Sequence, residues 1–198
     1  MTQKLADNER CFDRWASSYD FPLFQFWMRR FYQPALSSIT TGKVLDVSCG
    51  TGEFLRELLR KRKVKLYGID YSAKMVALAH AKLGKGVSLQ KADVHRLPFP
   101  DNTFDYVIST EAFHHYYDQS RALSEMKRVA KGGATIMVAD INFFLPVVHY
   151  LFERFEPGCV KVQSKSEIRD LFCRVGLKKV TQKRSFLFAV LTQGIKHG

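Results

Sequence analysis

The sequence predicts an α/β protein: a doubly wound sheet of seven strands, mainly parallel, with one antiparallel strand in a C-terminal hairpin. Three observations carry this. In Val44-Leu45-Asp46-Val47-Ser48-Cys49-Gly50-Thr51-Gly52, branched apolar residues flank an acid, and a two-glycine turn then opens into the amphipathic run Glu53 to Leu59. That order reads as strand, tight turn, helix. Further apolar runs alternate with stretches of helical periodicity, the arrangement that builds parallel βαβ units. Two final runs, Leu177 to Lys183 and Phe186 to Leu191, are separated only by Arg184-Ser185 and predict a hairpin.

The chain has 198 residues, enough for one domain with a substantial core and short for two, so residues 1–198 are expected to form a single unit. With 46% hydrophobic and 25% charged residues it has an ordinary globular composition. A net charge of +12 favours an anionic partner, whether nucleic acid, lipid head groups or acidic small molecules. No long Lys/Arg block and no nucleic-acid motif accompany that charge. The densest run, Arg60-Lys61-Arg62-Lys63, falls at the end of the helix after the glycine turn, where cations complement the helix dipole. Cys11, Cys49, Cys159 and Cys173 are scattered, which argues against a disulfide framework and a zinc site. The amino terminus lacks a secretory pattern, and no apolar run approaches the roughly 20 residues that span a bilayer. A cytoplasmic location is expected, and no metal.

The elements follow in order. Cys11, Phe12, Trp15 and Ala16 have helical spacing within Asn8 to Ser18, and the aromatic-rich stretch Phe21 to Leu36 fits a second helix. Residues 1–40 are thus expected to form a helical cap. Thr40-Thr41-Gly42 reads as the turn into the first strand. Glycine in the turn after that strand allows positive φ and lets a ligand lie against the main chain, and the following helix start offers free N–H groups. The second strand, Val64 to Asp70, ends in an acid 18 residues beyond Gly52, near the spacing at which βαβ folds hold ribose hydroxyls. Ser72 reads as the N-cap of a helix that stops at Gly84. Val87 to Lys91 is the third strand and Phe104 to Ser109 the fourth. A helix from Asp118 to Ala130 leads through Lys131-Gly132-Gly133 to the fifth strand, Ala134 to Asp140. Phe143 to Phe152 is too apolar for an exposed loop, and residues 141–163 read as a substrate-side cap insertion, with an ordinary core helix as the other reading. A helix from Ser166 to Val175 stops at Gly176 before the hairpin.

The glycine turn is not the dinucleotide fingerprint, because Leu55 stands where a third small residue would be needed. It resembles instead motif I of the class I S-adenosylmethionine (SAM) dependent methyltransferases, V-L-D-x-G-x-G-x-G, with Ser48 at the first glycine. Trp15-Ala16-Ser17-Ser18-Tyr19-Asp20 resembles the segment that precedes motif I in methyltransferases of the ubiquinone/menaquinone-biosynthesis type. Ala92-Asp93-Val94-His95-Arg96-Leu97-Pro98-Phe99 resembles that group's A-D-A-x-x-L-P-F, and Phe104-Asp105-Tyr106-Val107 its F-D-x-V. The resemblance implies a Rossmann-like fold, SAM as cofactor and S-adenosylhomocysteine as product. It also implies site residues. Asp46, Ser48, Gly50 and Gly52 would hold the amino-acid end of SAM, Asp70 the ribose, and Asp93 and Val94 the adenine. Tyr19, Tyr71, Ser109 and Thr110 are expected against the cofactor on the same grounds.

SAM carries an activated methyl group, so the protein must mainly hold an acceptor atom about 3 Å away and in line. The segment Thr110 to Tyr117, at the fourth-strand outlet, should face that methyl group. His114, His115 and Asp140 are candidates wherever the acceptor must lose a proton, although a packing or orienting role is expected for the two histidines. His95 is read as exposed rather than catalytic. Crowded aromatic residues at the amino terminus and in 141–163 point to a small hydrophobic acceptor, lipid or quinone-like. The positive charge also permits RNA or protein methylation and peripheral contact with an anionic membrane. A SAM-binding module without catalysis is the alternative of a different class.

Overall fold

The computed structural model describes residue 13 and residues 22–61, 63–143 and 145–198. Seven strands form one sheet: β1 (Thr41–Asp46), β2 (Lys63–Asp70), β3 (Val87–Lys91), β4 (Phe104–Thr110), β5 (Ala130–Ile141), β6 (Leu177–Phe186) and β7 (Ala189–Lys196). Their order is β3-β2-β1-β4-β5-β7-β6. The β1, β2, β3, β4 and β5 pairings are parallel, and β7 runs antiparallel to both β5 and β6. The chain builds outward from β1 to β3 and then returns to β4 on the other side of β1. Such a reversal leaves a crevice beyond the carboxyl ends of β1 and β4, where α/β sheets bind ligands.

The helices are α1 (Pro22–Ser38), α2 (Glu53–Lys61), α3 (Ala73–Leu83), α4 (Gln119–Val129), α5 (Pro146–Phe155) and α6 (Lys165–Arg174). Because side chains alternate along a strand, each central strand feeds both faces. Leu45, Val107 and Ile136 pack under α4 and α6 with Met126 and Phe172. Their neighbours Val44, Ile108 and Met137 pack under α1, α2 and α3 with Tyr32, Leu55 and Ala79. Capping fixes where helices begin. The Ser72 hydroxyl accepts from Met75 N and the Asp118 carboxylate from Arg121 N. Ser164 forms a capping box with Glu167, so α6 starts one residue before the expected Ser166.

Further boundaries differ from expectation: Thr41 and Gly42 pair with β2 as the start of β1 rather than forming a turn before it. The C-terminal turn falls at Leu187-Phe188 rather than at Arg184-Ser185, with Phe186 opposite Ala189. Arg184 stays in β6, and its guanidinium donates to Leu187 O (2.8 Å) and Asn142 O (3.3 Å), which ties the turn to the end of β5. Pairing of β7 with β5, which buries Val190 and Leu191, overrides the strand propensity of Leu187 and Phe188. The segment Lys131-Gly132-Gly133 is not a separate turn but an excursion inside β5, which opens at Ala130. There Phe104 pairs with Ala130 and Tyr106 with Thr135, and Gly133 takes φ 80. At this same end of the sheet Asp105 accepts from Lys43 N and Lys131 Nζ, both at 2.8 Å, and joins β1, β4 and β5.

Candidate active site

Beyond β1 the chain turns through residues 47–52 into α2. Gly50 has φ 50, and a Cβ built on it would meet nothing within 4 Å, so its face lies open to the cleft. Gly52 serves packing instead: at φ 85, a Cβ there would come 2.6 Å from Leu83 Cδ1 on α3. Ser48 is kept in place by its side chain, whose Oγ donates to Val47 O and meets the Tyr116 hydroxyl, each at 2.7 Å.

Asp46 is fully buried behind the turn, and its carboxyl oxygens complete no hydrogen bond among the described residues. Burial raises its pKa most, the Ser48 N–H opposes this, and Asp70 raises it further, to about 7. Asp70, at the end of β2, accepts from Gly50 N through one oxygen and Ser72 N through the other, both at 2.9 Å. Each oxygen keeps a lone pair for a further donor. Burial pushes this acid up to about 6 against those N–H bonds. Asp13 stands beside it, accepting from the Ser72 hydroxyl.

After β3, Asp93 accepts from His95 N (2.9 Å) and faces His95 Nδ1 (2.6 Å). Burial pushes Asp93 up, but the His95 ring and N–H outweigh it and hold the carboxyl below its ordinary value. His95 is buried, contrary to the expected exposure. It stacks on Tyr117 at 3.6 Å, and Asp118 N donates to its Nε2. Stacking and two ring hydrogen bonds draw the imidazole in, and none of these partners is visible in local sequence.

At the outlets of β4 and β5 lies a second cluster. Glu111 takes the left-handed backbone region at φ 54, a conformation that costs of order 1–3 kcal/mol in a non-glycine residue. Its Oε1 is buried and finds no hydrogen-bond partner among the described residues. Burial first, and Asp140 second, hold this carboxyl well above the ordinary range. His114 is buried with Nδ1 2.7 Å from Asp140 Oδ1, and its carbonyl accepts from Val160 N and Lys161 N. His115 packs beside it, ring centroids 4.0 Å apart. Burial, then His114, lowers the His115 pKa to about 3.

These elements wall one cleft of about 1150 Å³, counted with its open mouth. Of the expected cofactor residues, Ser48, Gly50, Asp70, Tyr71, Asp93, Val94 and Thr110 line it, as does the proton-acceptor candidate His115. Asp46 and Gly52 stand behind the lining. Ser109 also stands back, because its hydroxyl is buried against Tyr116 at 2.8 Å. His114 and Asp140 pair behind His115. Tyr19 lies outside the described residues. Lining residues that escaped individual notice in the sequence include Glu111, Tyr116 and Tyr32. Glu111 and Tyr116 sit in the segment expected to face the methyl group, but nothing local marks a positive-φ glutamate or a tyrosine that bridges two strands. Among its described residues, segment 141–163 contributes none to the lining; it touches the site's wall where Phe152 packs on His114, centroids 5.9 Å apart.

Residues 45–138 match the family model of a methyltransferase domain. The chain is 30% identical to the ubiquinone/menaquinone biosynthesis C-methyltransferase UbiE of Geobacter sulfurreducens, over 97% of this chain and 88% of that protein. It is 33% identical to the demethylmenaquinone methyltransferase of Thermotoga maritima, over 67% of this chain and 60% of that one. In structure it resembles the partner protein in a complex with the Haloferax volcanii Trm112 methyltransferase activator. The TM-score is 0.82 and the identity 25%, over 94% of this chain and 98% of the other.

The chain belongs to the class I SAM-dependent methyltransferases. Within that class it falls in the UbiE-like group. Its cofactor is SAM, and the residues present fit it: an open glycine face, an acid with free lone pairs at the second strand, and buried carboxyls near a site for a cation.

Proposed function

We propose that the protein methylates a ring carbon of a small, uncharged hydroxylated aromatic acceptor of the reduced quinone type. The observation that supports this most is the neutrality of the acceptor side. Burial favours the neutral forms of both Glu111 and His115, so these two side chains offer a hydrogen-bond donor and an acceptor rather than a pair of charges. A polyanion gains little from such a wall. The names of the relatives point the same way, since both concern quinone biosynthesis.

In this reading Gly50, Asp70 and Asp93 hold SAM, which supplies an electrophilic methyl group when bound. Tyr71, Val94 and Thr110 complete its walls, and Tyr116 fixes the turn that carries it. His115 orients an acceptor hydroxyl, and the Asp140–His114 pair positions His115. Tyr32 on α1 closes the cleft from one side, and segment 141–163 backs the acceptor side through Phe152 against His114. RNA is the rival acceptor that the +12 charge favours. Methyl-labelled SAM incubated with quinol, phospholipid, small-metabolite and RNA fractions separates the two. Label in the quinol fraction alone supports the proposal, and salt-sensitive label in RNA overturns it.

A further inference from the structure

Helix α5 is oriented opposite to the usual rule for a surface helix, which buries its apolar stripe and shows water its polar one. Leu145 at its N-cap, followed by Val147, Tyr150, Leu151 and Phe155, is 46–74% exposed. These positions share one face, since residues three and four apart are neighbours on a helix. Its inward contacts are satisfied without them: Phe152 packs on His114 and Phe143, and His149 Nε2 accepts from Phe143 N. Among the described residues of 145–155, the one exposed charge is Arg154.

This face continues onto its neighbours. Asn142 N donates to Phe188 O, and the Phe143 and Phe188 rings lie 5.6 Å apart, which sets the exposed hairpin tip, Leu187 and Phe188, beside the start of α5. Beyond the tip, Arg30 on α1 stacks over exposed Phe26 at 4.1 Å and reaches Phe186 at 5.8 Å. Three separate elements thus present apolar side chains to solvent in one tract. A tract of this extent marks an interaction surface.

We propose that this tract docks the protein on an anionic lipid bilayer. Exposed Arg30, Arg154 and Lys183 stand among or beside the apolar residues, while Glu153 on the same helix is half-buried and accepts from Val162 N at 2.7 Å. Apolar side chains with interspersed cations are what the headgroup boundary of an anionic membrane accepts. A second copy is disfavoured, because a twofold contact brings the same cations together and each copy carries +12. At about 15 Å, α5 is half the length needed to cross a hydrocarbon core, so it lies in the interface plane. Through Phe152 and His114, the docked face backs directly onto the acceptor side of the cleft. The proposal does not depend on the acceptor's identity, because its test reads vesicle binding rather than methyl transfer.

The test is co-sedimentation of the full chain with vesicles of phosphatidylcholine alone and of phosphatidylcholine mixed equally with phosphatidylglycerol. The protein should pellet with the anionic vesicles and lose that binding in high salt. In Leu151→Asp/Phe155→Asp, partition should fall by roughly tenfold or more, and Arg154→Glu should weaken it severalfold. Unchanged SAM affinity in each variant shows that the fold is intact. Three results overturn the proposal: no binding to either vesicle, equal binding by the double variant, or a vesicle-free dimer that the double variant dissociates.

Discussion

The Tyr116 hydroxyl lies 2.7 Å from Ser48 Oγ, so the residue at the first glycine position of the turn is held from the far side of the cleft. The same hydroxyl lies 2.8 Å from Ser109 Oγ in β4, and burial raises the Tyr116 pKa most, keeping it protonated. One side chain therefore clamps the β1 outlet to the β4 outlet. Removing the hydroxyl in Tyr116→Phe leaves Ser109, which is fully buried, short of a partner. Thermal unfolding should register a loss of about 1–3 kcal/mol, with a matching rise in SAM Kd as the turn loosens.

The two glycines of the turn should fail differently. Gly50→Ala meets open space, so it should cost only about 1–2 kcal/mol of left-handed strain while placing a methyl group where the cofactor must approach. Gly52→Ala drives a Cβ to 2.6 Å from Leu83 Cδ1 and should chiefly lower the melting temperature, by an overpacking cost of about 1–3 kcal/mol added to strain. Calorimetric SAM titration and thermal melts of both variants check this contrast.

Asp46 gives stability a specific pH dependence. Its carboxyl ionises near 3.8 when unfolded and near 7 in the fold. Between those values the unfolded chain has released a proton that the folded chain keeps, so this group's contribution falls as pH rises through the window. His115, lowered to about 3, works in the opposite sense as pH falls below 6.5. Asp46→Asn isolates the first effect. The stability of the variant minus that of the wild type should grow from pH 4 to pH 7 and then level off. A difference flat across that range contradicts the burial account.

Burial favours the neutral form of the Glu111 carboxyl, so it should act as a hydrogen-bond donor. Glu111→Gln keeps an N–H donor of the same size and should retain acceptor KM within a few-fold. Glu111→Ala removes the donor and should raise KM on the order of tenfold, the worth of one buried hydrogen bond. Steady-state kinetics with a reduced quinone acceptor read both. If the glutamine variant is as impaired as the alanine one, the group works as a carboxylate.

The strand–turn–helix units were legible because their signals are local. The glycine turn, the Ser72 and Asp118 caps, and the bounds of β3 all follow from residues within a few positions of one another. The Ser164-x-x-Glu167 box was equally local and marks the α6 start better than Ser166. What sequence could not supply was tertiary. The hairpin tip moved to Leu187-Phe188 because β7 pairs with β5 and Arg184 reaches Asn142, 42 residues away. His95 is buried by Tyr117, and Ser48 is secured by a tyrosine 68 residues on. Asp70 and Asp93 stood out from motif spacing, whereas Glu111 depended on a backbone conformation that its own residue type disfavours.

The most direct test of the account is calorimetric titration of SAM into the wild type and Asp70→Ala, with a chelator present throughout. The cleft at the β1/β4 crevice should bind one SAM without metal. Loss of the acid that faces it from β2 should weaken that binding by on the order of 1.5–3 kcal/mol, the worth of charge-assisted hydrogen bonds to a diol. Failure of the wild type to bind SAM, or equal affinity in the variant, would contradict the assignment of this cleft.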